Sequence, residues 1–314
     1  MANKIRVALL RGGKSGEREV SLAGGREVAR ALDPARYEVT TYDPATDLAR
    51  LAQDAGRIDV AFILLHGPLG EDGTVQGFLE LLGIPYQGSG VLGSALAMDK
   101  DLAKQLYRAA GLTVPDAVVL RRGEPVHPGD LFARLGRPVV IKPVGQGSSL
   151  GMSMPADEPA LATGLAAAFN FGRVVMVEEF VRGREITVGV LGNDELLALP
   201  LVEIIPGEAF SFFDYQAKYT PGASREVCPA DFDQETGARA QAAAMAAHRA
   251  LRLRGYSRTD MIVREKDLFV LETNTIPGMT PTSLLPQAAA VHGLPFPRLL
   301  DRLLELALEG KEIR

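Results

Sequence analysis

The run Leu268-Phe-Val-Leu-Glu272-Thr-Asn274 ends an apolar stretch with an acid and an amide two residues apart. Side chains two apart in a strand share a face, so Glu272 and Asn274 point the same way. A preceding strand entered at Arg258-Thr259-Asp260 can set a third oxygen donor beside them. Two acids and an amide form a hard, oxygen-rich set suited to Mg2+ held jointly with phosphates. Taken singly, each reads as the solvated end of an edge strand; their shared face beside the Pro277-Gly278 turn favours the metal.

Lys142 closes the apolar strand Pro138-Val-Val-Ile, and Pro143 ends the ladder after it. The following Gly145-Gln-Gly147-Ser148-Ser149-Leu-Gly151 offers approachable backbone N–H groups and two hydroxyls, the ingredients of a phosphate cover; without Lys142 it would read as a flexible hairpin turn. Lys100 lies on a helical pattern, where a solvated charge is the ordinary reading. Glu178-Glu179-Phe180-Val181 leads through Arg182-Gly183 to Glu185, a crossing that suits a nucleotide base and its ribose. Glu17 begins the helix after the first strand, and His66 ends the third strand before Gly67-Pro-Leu-Gly70-Glu71-Asp72-Gly73. Both fall where parallel sheets place ligands, although Glu17 also suits a helix dipole and His66 a strand end.

Two phosphate-like spellings fail on context. Gly13-Lys14-Ser15 lacks the glycine five residues earlier that a P-loop needs, since Ala8 stands there. Gly88-Ser-Gly90-Val-Leu-Gly93 follows the third βα repeat rather than the first and lacks a ribose-binding acid about 20 residues on, so it reads as a turn or hinge that starts a helix.

The elements that must position these groups follow from periodicity. Short β-branched runs at Ile5–Leu10, Glu38–Tyr42 and Val60–Leu65 alternate with helical patterns such as Arg18–Leu32, which predicts a parallel βαβ layer over residues 1–88. A helix over Val91–Ala110, ended by Gly111 and Pro115, leads into strands Ala117–Leu120, Val139–Lys142 and Val174–Glu179, a smaller α+β unit over 89–181. Residues 182–314 hold strands at Ile186–Leu191, Leu196–Glu203, Thr259–Val263 and Leu268–Asn274, with helices at Asp233–Leu253 and Phe296–Leu308. The aromatic-rich stretch 206–229, with Phe210, Phe212, Phe213, Tyr215 and Tyr219, reads as a lid, because long loops in compact domains are usually functional.

Composition narrows the function. Of 314 residues, 46 % are hydrophobic and 23 % charged, and the net charge of -5 excludes a surface that coats nucleic acid or anionic membrane. One cysteine, Cys228, excludes internal disulfides and cysteine-rich zinc sites and fits a cytoplasmic protein. The apolar run Val7–Leu10 after Lys4 and Arg6 is too short for a signal core or a membrane span.

Set together, Glu17-Arg-Glu-Val-Ser21, His66-Gly-Pro-Leu-Gly-Glu-Asp-Gly73, Met98-Asp-Lys100, Lys142-Pro, Gly147-Ser-Ser-Leu-Gly151, Tyr215-Gln-Ala-Lys-Tyr219, Arg258-Thr-Asp260 and Glu272-Thr-Asn-Thr-Ile-Pro-Gly-Met-Thr280 resemble the D-alanine:D-alanine ligases over nearly the whole chain. The resemblance implies an α/β and α+β chain with an ATP-grasp fold behind an N-terminal Rossmann-like (pre-ATP-grasp) domain. ATP would lie between the second and third units, its phosphates met by Lys100 and Lys142, adenine by Glu178, Glu179, Phe180 and Val181, and ribose by Glu185, with Ser149 and Lys218 completing the pocket. Asp260, Glu272 and Asn274 would hold two Mg2+ ions, or Mn2+ in their place. Glu17 and His66 would receive the first D-alanine, Ser283 and the backbone of Leu284 the second. Arg258 and the Gly278 N–H would steady the tetrahedral oxyanion, and Tyr219 would reach Glu17 through Ser148. The product would be D-alanyl-D-alanine for peptidoglycan precursors, made by a homodimer. The alternatives are a D-alanine:D-lactate ligase, against which Tyr219 speaks, or a noncatalytic ATP-binding protein on the same scaffold.

Overall fold

The computed structural model describes residues 4–147, 149–207 and 224–309. Ser148, Lys218, Tyr219 and the aromatic cluster from Phe210 to Tyr215 lie outside these residues, and so does the lid expected over 206–229 except at its two ends.

The chain begins with β1 (Ile5–Leu10), β2 (Tyr37–Tyr42) and β3 (Val60–Ile63), all parallel in the order β2-β1-β3. Helices α1 (Arg18–Ala31) and α2 (Leu48–Asp54) make the crossovers, and β3 is buried throughout, as a strand covered on both faces must be. Glycine-turn chemistry explains the two phosphate-like spellings. Gly12 and Gly13 take positive φ, and their N–H groups donate to Ser21 Oγ and Asp43 Oδ1 at 2.8 and 2.9 Å. These donors are spent on the protein itself. Beyond helix α3 (Thr74–Leu81), Gly90 begins helix α4 (Val91–Met98), whose Gly93 packs so near residues 251–253 that a Cβ would fall 2.9 Å from Leu253 Cδ2.

The single helix expected over 91–110 is two. Asp99 has extended backbone and its carboxylate accepts the N–H groups of Asp101 and Leu102, which ends α4 and caps α5 (Lys100–Ala109). Hydrophobic period alone runs through the break, because an N-cap needs one residue only. A second sheet, antiparallel, has the order β4-β6-β5, from β4 (Ala117–Arg121), β5 (Val139–Pro143) and β6 (Val174–Glu179), with helices α6 (Pro128–Leu135) and α7 (Glu158–Ala168) between its strands.

The third sheet is the largest. Its path is β10-β9-β7-β11-β12, with β8 also on β7, from β7 (Arg184–Gly192), β8 (Leu197–Ala198), β9 (Val202–Pro206), β10 (Ser224–Val227), β11 (Gly255–Arg264) and β12 (Asp267–Asn274). Two expectations are corrected here. The strand expected over 196–203 is interrupted before it resumes as β9. The stretch expected to be loop through Pro229 contains β10, which pairs antiparallel with β9. Alternation in Ser224-Arg-Glu-Val227 is too brief to register against its Pro-rich flanks.

Helix α8 (Gln234–Ala250) lays Ala240, Ala244 and Ala247 on Val188 and Val190 of the third sheet, and Ala103 and Tyr107 of α5 join the same core. The second sheet has a core of its own around Val139, Ile141, Leu161 and Val175. The final helices, α9 (Leu284–Val291) and α10 (Phe296–Leu308), pack between the first and third sheets. Leu299, Leu300, Leu303 and Leu304 share one core with Val7, Leu9, Phe62 and Tyr256. Asp301 reinforces this junction by accepting from Arg36 at 2.6 Å and from Tyr37 Oη at 2.8 Å.

Candidate active site

Antiparallel register assembles the oxygen donors. Asp260 lies opposite Glu272 and Arg258 opposite Asn274 on β11 and β12, with a bulge after Asp260. The three donor residues are thus neighbours on adjoining strands, as alternation predicts, and Asn274 Nδ2 donates to Asp260 Oδ2 at 3.1 Å. Cations hold both acids. Arg258 donates twice to Asp260, at 2.8 Å each, and Lys100 Nζ stands 3.3 Å from Glu272. Among the described residues no three His, Cys, Asp or Glu side chains form a metal cluster. The donor chemistry of two carboxylates and an amide oxygen nevertheless fits a hard cation that brings its remaining oxygens from a phosphate ligand.

Lys100 is no solvated helix charge. As the first residue of α5 it points inward, is only 8 % exposed, and donates to the Gln146 carbonyl at 2.6 Å. That bond ties α5 to the glycine-rich loop. Lys142 comes from β5. Val140 pairs with Glu178 across the sheet, so Lys142, two residues on, shares Glu178's face, and its ammonium contacts Glu178 Oε2. The other carboxylate oxygen, Oε1, lies 2.7 Å from Lys104 Nζ. Burial works against the charge on Glu178, but the two lysines prevail and hold its carboxyl below the usual range. Burial likewise pulls Lys142 down, and Glu178 and Glu272 more than offset it, so its pKa is raised. The Glu178 carboxylate is therefore held between two ammoniums, one on each oxygen. Glu179 accepts the Asp116 N–H at 3.0 Å, which steadies the strand crossing.

These groups line a pocket of about 140 Å³ with Lys100, Lys142, Ser149, Glu178, Glu179, Phe180, Val181, Glu185, Asp260 and Glu272 in its wall. Ser149 adopts φ 57°, the left-handed turn that carries the glycine-rich loop over it.

A larger cleft of about 540 Å³ adjoins it, lined by Glu17, His66, Arg258, Asn274, Gly278, Ser283 and Leu284. Glu17 precedes α1 but makes no side-chain cap, and it is 5 % exposed, so its carboxylate faces the cleft rather than serving the helix. His66 Nδ1–H donates to the Ile276 carbonyl at 3.1 Å, which turns Nε2 into the acceptor, and burial keeps the ring's pKa below its ordinary value. Ser283 precedes α9. Its Oγ accepts the Thr280 N–H at 3.1 Å, and a Cβ on Gly278 would come 3.1 Å from it, so a side chain there would crowd Ser283. Gly147 of the glycine-rich loop reaches the same cleft: a Cβ there would sit 3.2 Å from Glu17 Oε2.

The sequence reading missed three groups. Glu71 lines the cleft and accepts the Gly67 N–H at 2.7 Å; burial, then Glu17, pushes its carboxyl up to about 8. Its one earlier signal was its place in the Gly67–Gly73 segment that follows His66. Glu226 enters the cleft from β10 and accepts from Gln287 at 2.6 Å. The third is Lys104.

Known proteins resemble this chain in sequence and fold. The family model described as D-ala D-ala ligase C-terminus matches residues 106–305, and that described as D-ala D-ala ligase N-terminus matches 44–89. A D-alanine–D-alanine ligase of Syntrophobacter fumaroxidans is 61 % identical over 306 residues, covering 98 % of each chain. Among solved structures, the D-alanine–D-alanine ligase of Bacillus anthracis complexed with ATP superposes with TM-score 0.86 at 34 % identity, covering 98 % of this chain and 99 % of that one. The VanG D-Ala:D-Ser ligase of Enterococcus faecalis gives TM-score 0.86 at 33 % identity over 97 % of this chain and 100 % of its own. With an ATP-grasp architecture of three sheets meeting at two adjoining cavities, and with relatives matched from end to end, the chain belongs to the D-ala D-ala ligase family.

Proposed function

We propose that the chain joins two D-alanine molecules at the expense of ATP, releasing ADP and phosphate. The observation that carries this reading is the contact between a cation-lined pocket and a substrate-sized cleft, which meet where Lys100, Gly147, Glu272 and Asn274 line a common hollow. An oxygen of the first D-alanine carboxylate attacks the γ-phosphorus, ADP departs, and the acyl phosphate forms. The second D-alanine's free amine then attacks the carbonyl carbon. Phosphate leaves, and the nitrogen sheds a proton.

Glu17 holds the first ammonium, with His66 neutral beside it. Lys100 and Lys142 meet the phosphates, the backbone from Glu178 to Val181 meets adenine, and Glu185 meets ribose. Ser149 lines the cover over the phosphates, and Lys218, outside the described residues, is assigned to the same ligand by the family resemblance. Asp260, Glu272 and Asn274 hold magnesium, two ions in the full complex, which supplies neutralisation of phosphate charge when bound. Arg258 and the Gly278 N–H face the tetrahedral oxyanion, where one such donor contributes about 2.7 to 4 kcal/mol. Ser283 and the Leu284 N–H at the start of α9 receive the second carboxylate. Tyr219 and Ser148, which lie outside the described residues, are assigned by the family resemblance to keeping water out, since an acyl phosphate left wet hydrolyses. The three units 1–88, 89–181 and 182–314 act together, in a homodimer working in the cytoplasm. No helix of the described residues is long and apolar enough to cross a membrane.

The test is ADP release and product identity with Mg2+, ATP and D-alanine, repeated with D-lactate or D-serine added. D-alanyl-D-alanine should dominate, and chelating the metal should stop ADP formation. Absence of ADP with D-alanine would remove the reading; a mixed product made faster than the dipeptide would move it to the depsipeptide or D-serine type.

A further inference from the structure

Lys104 is a buried cation outside the cavity walls. It lies on α5 one turn after Lys100, is 1 % exposed, and contacts Glu178 Oε1 at 2.7 Å. Apart from that ion pair its Nζ has no hydrogen-bond partner among the described residues. An ammonium enclosed this way costs stability that a methionine of similar length would not. Burial pulls its pKa down to about 8, with Glu178 opposing, so it remains mostly charged at neutral pH.

What it achieves is visible in the charge count. Without Lys104, Glu178 and Lys142 form a closed pair of zero net charge at the floor of the pocket. With it, Glu178 is shared between two ammoniums, one on each carboxylate oxygen, and the trio carries a net positive charge. Only Lys142 of that trio lines the pocket as a cation, so the surplus is presented there.

We propose that Lys104 is a positioning residue that occupies one side of Glu178, so that Lys142 meets the ligand's phosphates as an uncompensated charge. This rests on the nucleotide reading of the pocket. The role concerns phosphate affinity, which distinguishes it from a purely structural one.

The experiment is calorimetric titration of the full chain with MgATP and with AMP, for the unsubstituted protein, Lys104→Met, Lys104→Gln and the double variant Lys104→Met/Glu178→Gln. Met keeps the volume, and Gln keeps a donor toward Glu178, so at least one folded variant reports on the charge. We expect each single variant to weaken MgATP about tenfold or more, as loss of a partly screened charge at short range should, while AMP, with one phosphate, shifts far less. The double variant, which returns the floor to one positive charge, should regain most of the loss. Equal weakening of both nucleotides, or unchanged MgATP affinity in a folded variant, would overturn the role of Lys104 while leaving the nucleotide reading in place. Failure of the unsubstituted protein to bind MgATP would sink both.

Discussion

Glu71 and Glu17 face one cleft, and the proton that Glu71 keeps there has a measurable consequence. Its folded pKa of about 8, raised by burial and then by Glu17, lies above the ordinary carboxylate value, so the folded chain binds this proton more tightly than the unfolded one. The associated stability is fully present below the ordinary value and is lost as pH climbs through about 8. His66, whose pKa burial lowers, contributes with the opposite sign, so a difference measurement is needed. In Glu71→Gln the ligand-free protein should lose less stability than the parent between pH 5 and 9 in thermal melts. Parallel curves for the two would show that Glu71 is ionised throughout. Residues of this kind are also where the sequence was least informative. Glu272, Asn274 and Asp260 could be picked out because strand alternation is a strong constraint. Lys104 could not, because Lys100, Ala103, Lys104 and Tyr107 make the buried stripe of α5, and two lysines at those positions mimic a solvated face.

Among the elements, the junction at Asp99 does two jobs. Its carboxylate caps α5, and it thereby fixes Lys100 as the first helical residue, aimed at Gln146 and Glu272. Asp99→Ala should cost about 1 kcal/mol of stability, the usual value of such a cap, and should raise the KM for ATP several-fold with the KM for D-alanine little changed. A variant that melts lower yet keeps its ATP KM would separate the cap from Lys100. The strands were legible nearly to the residue where they are long and apolar, as at Ile5–Leu10 and Val174–Glu179. The cap at Asp99 and the short strand Ser224–Val227 were not, since one is a single side-chain bond and the other depends on a partner strand distant in sequence.

For the whole molecule, α10 joins what the sequence order separates. Its leucines lie in one core with both the first sheet and the third, so neither unit has a complete interior without it. Leu303→Ala, at a site 1 % exposed, should destabilise by roughly 2 to 5 kcal/mol, and the loss should appear as one lowered transition in both far-ultraviolet ellipticity and hydrogen exchange of β1. Two separated transitions would mean that the first sheet unfolds alone. This sharing was invisible beforehand, because a leucine-rich amphipathic helix says that it is covered and not by what. Gly147, in the loop after β5, approaches Glu17 at a different boundary, between the first unit and the second. A carboxylate proposed to greet an amino group and a loop proposed to blanket a triphosphate are thus separated by the bare flank of one glycine. Any side chain at 147 would press on that carboxylate, which would have to yield by a few tenths of an ångström, so the smallest residue is what lets the loop lie this close.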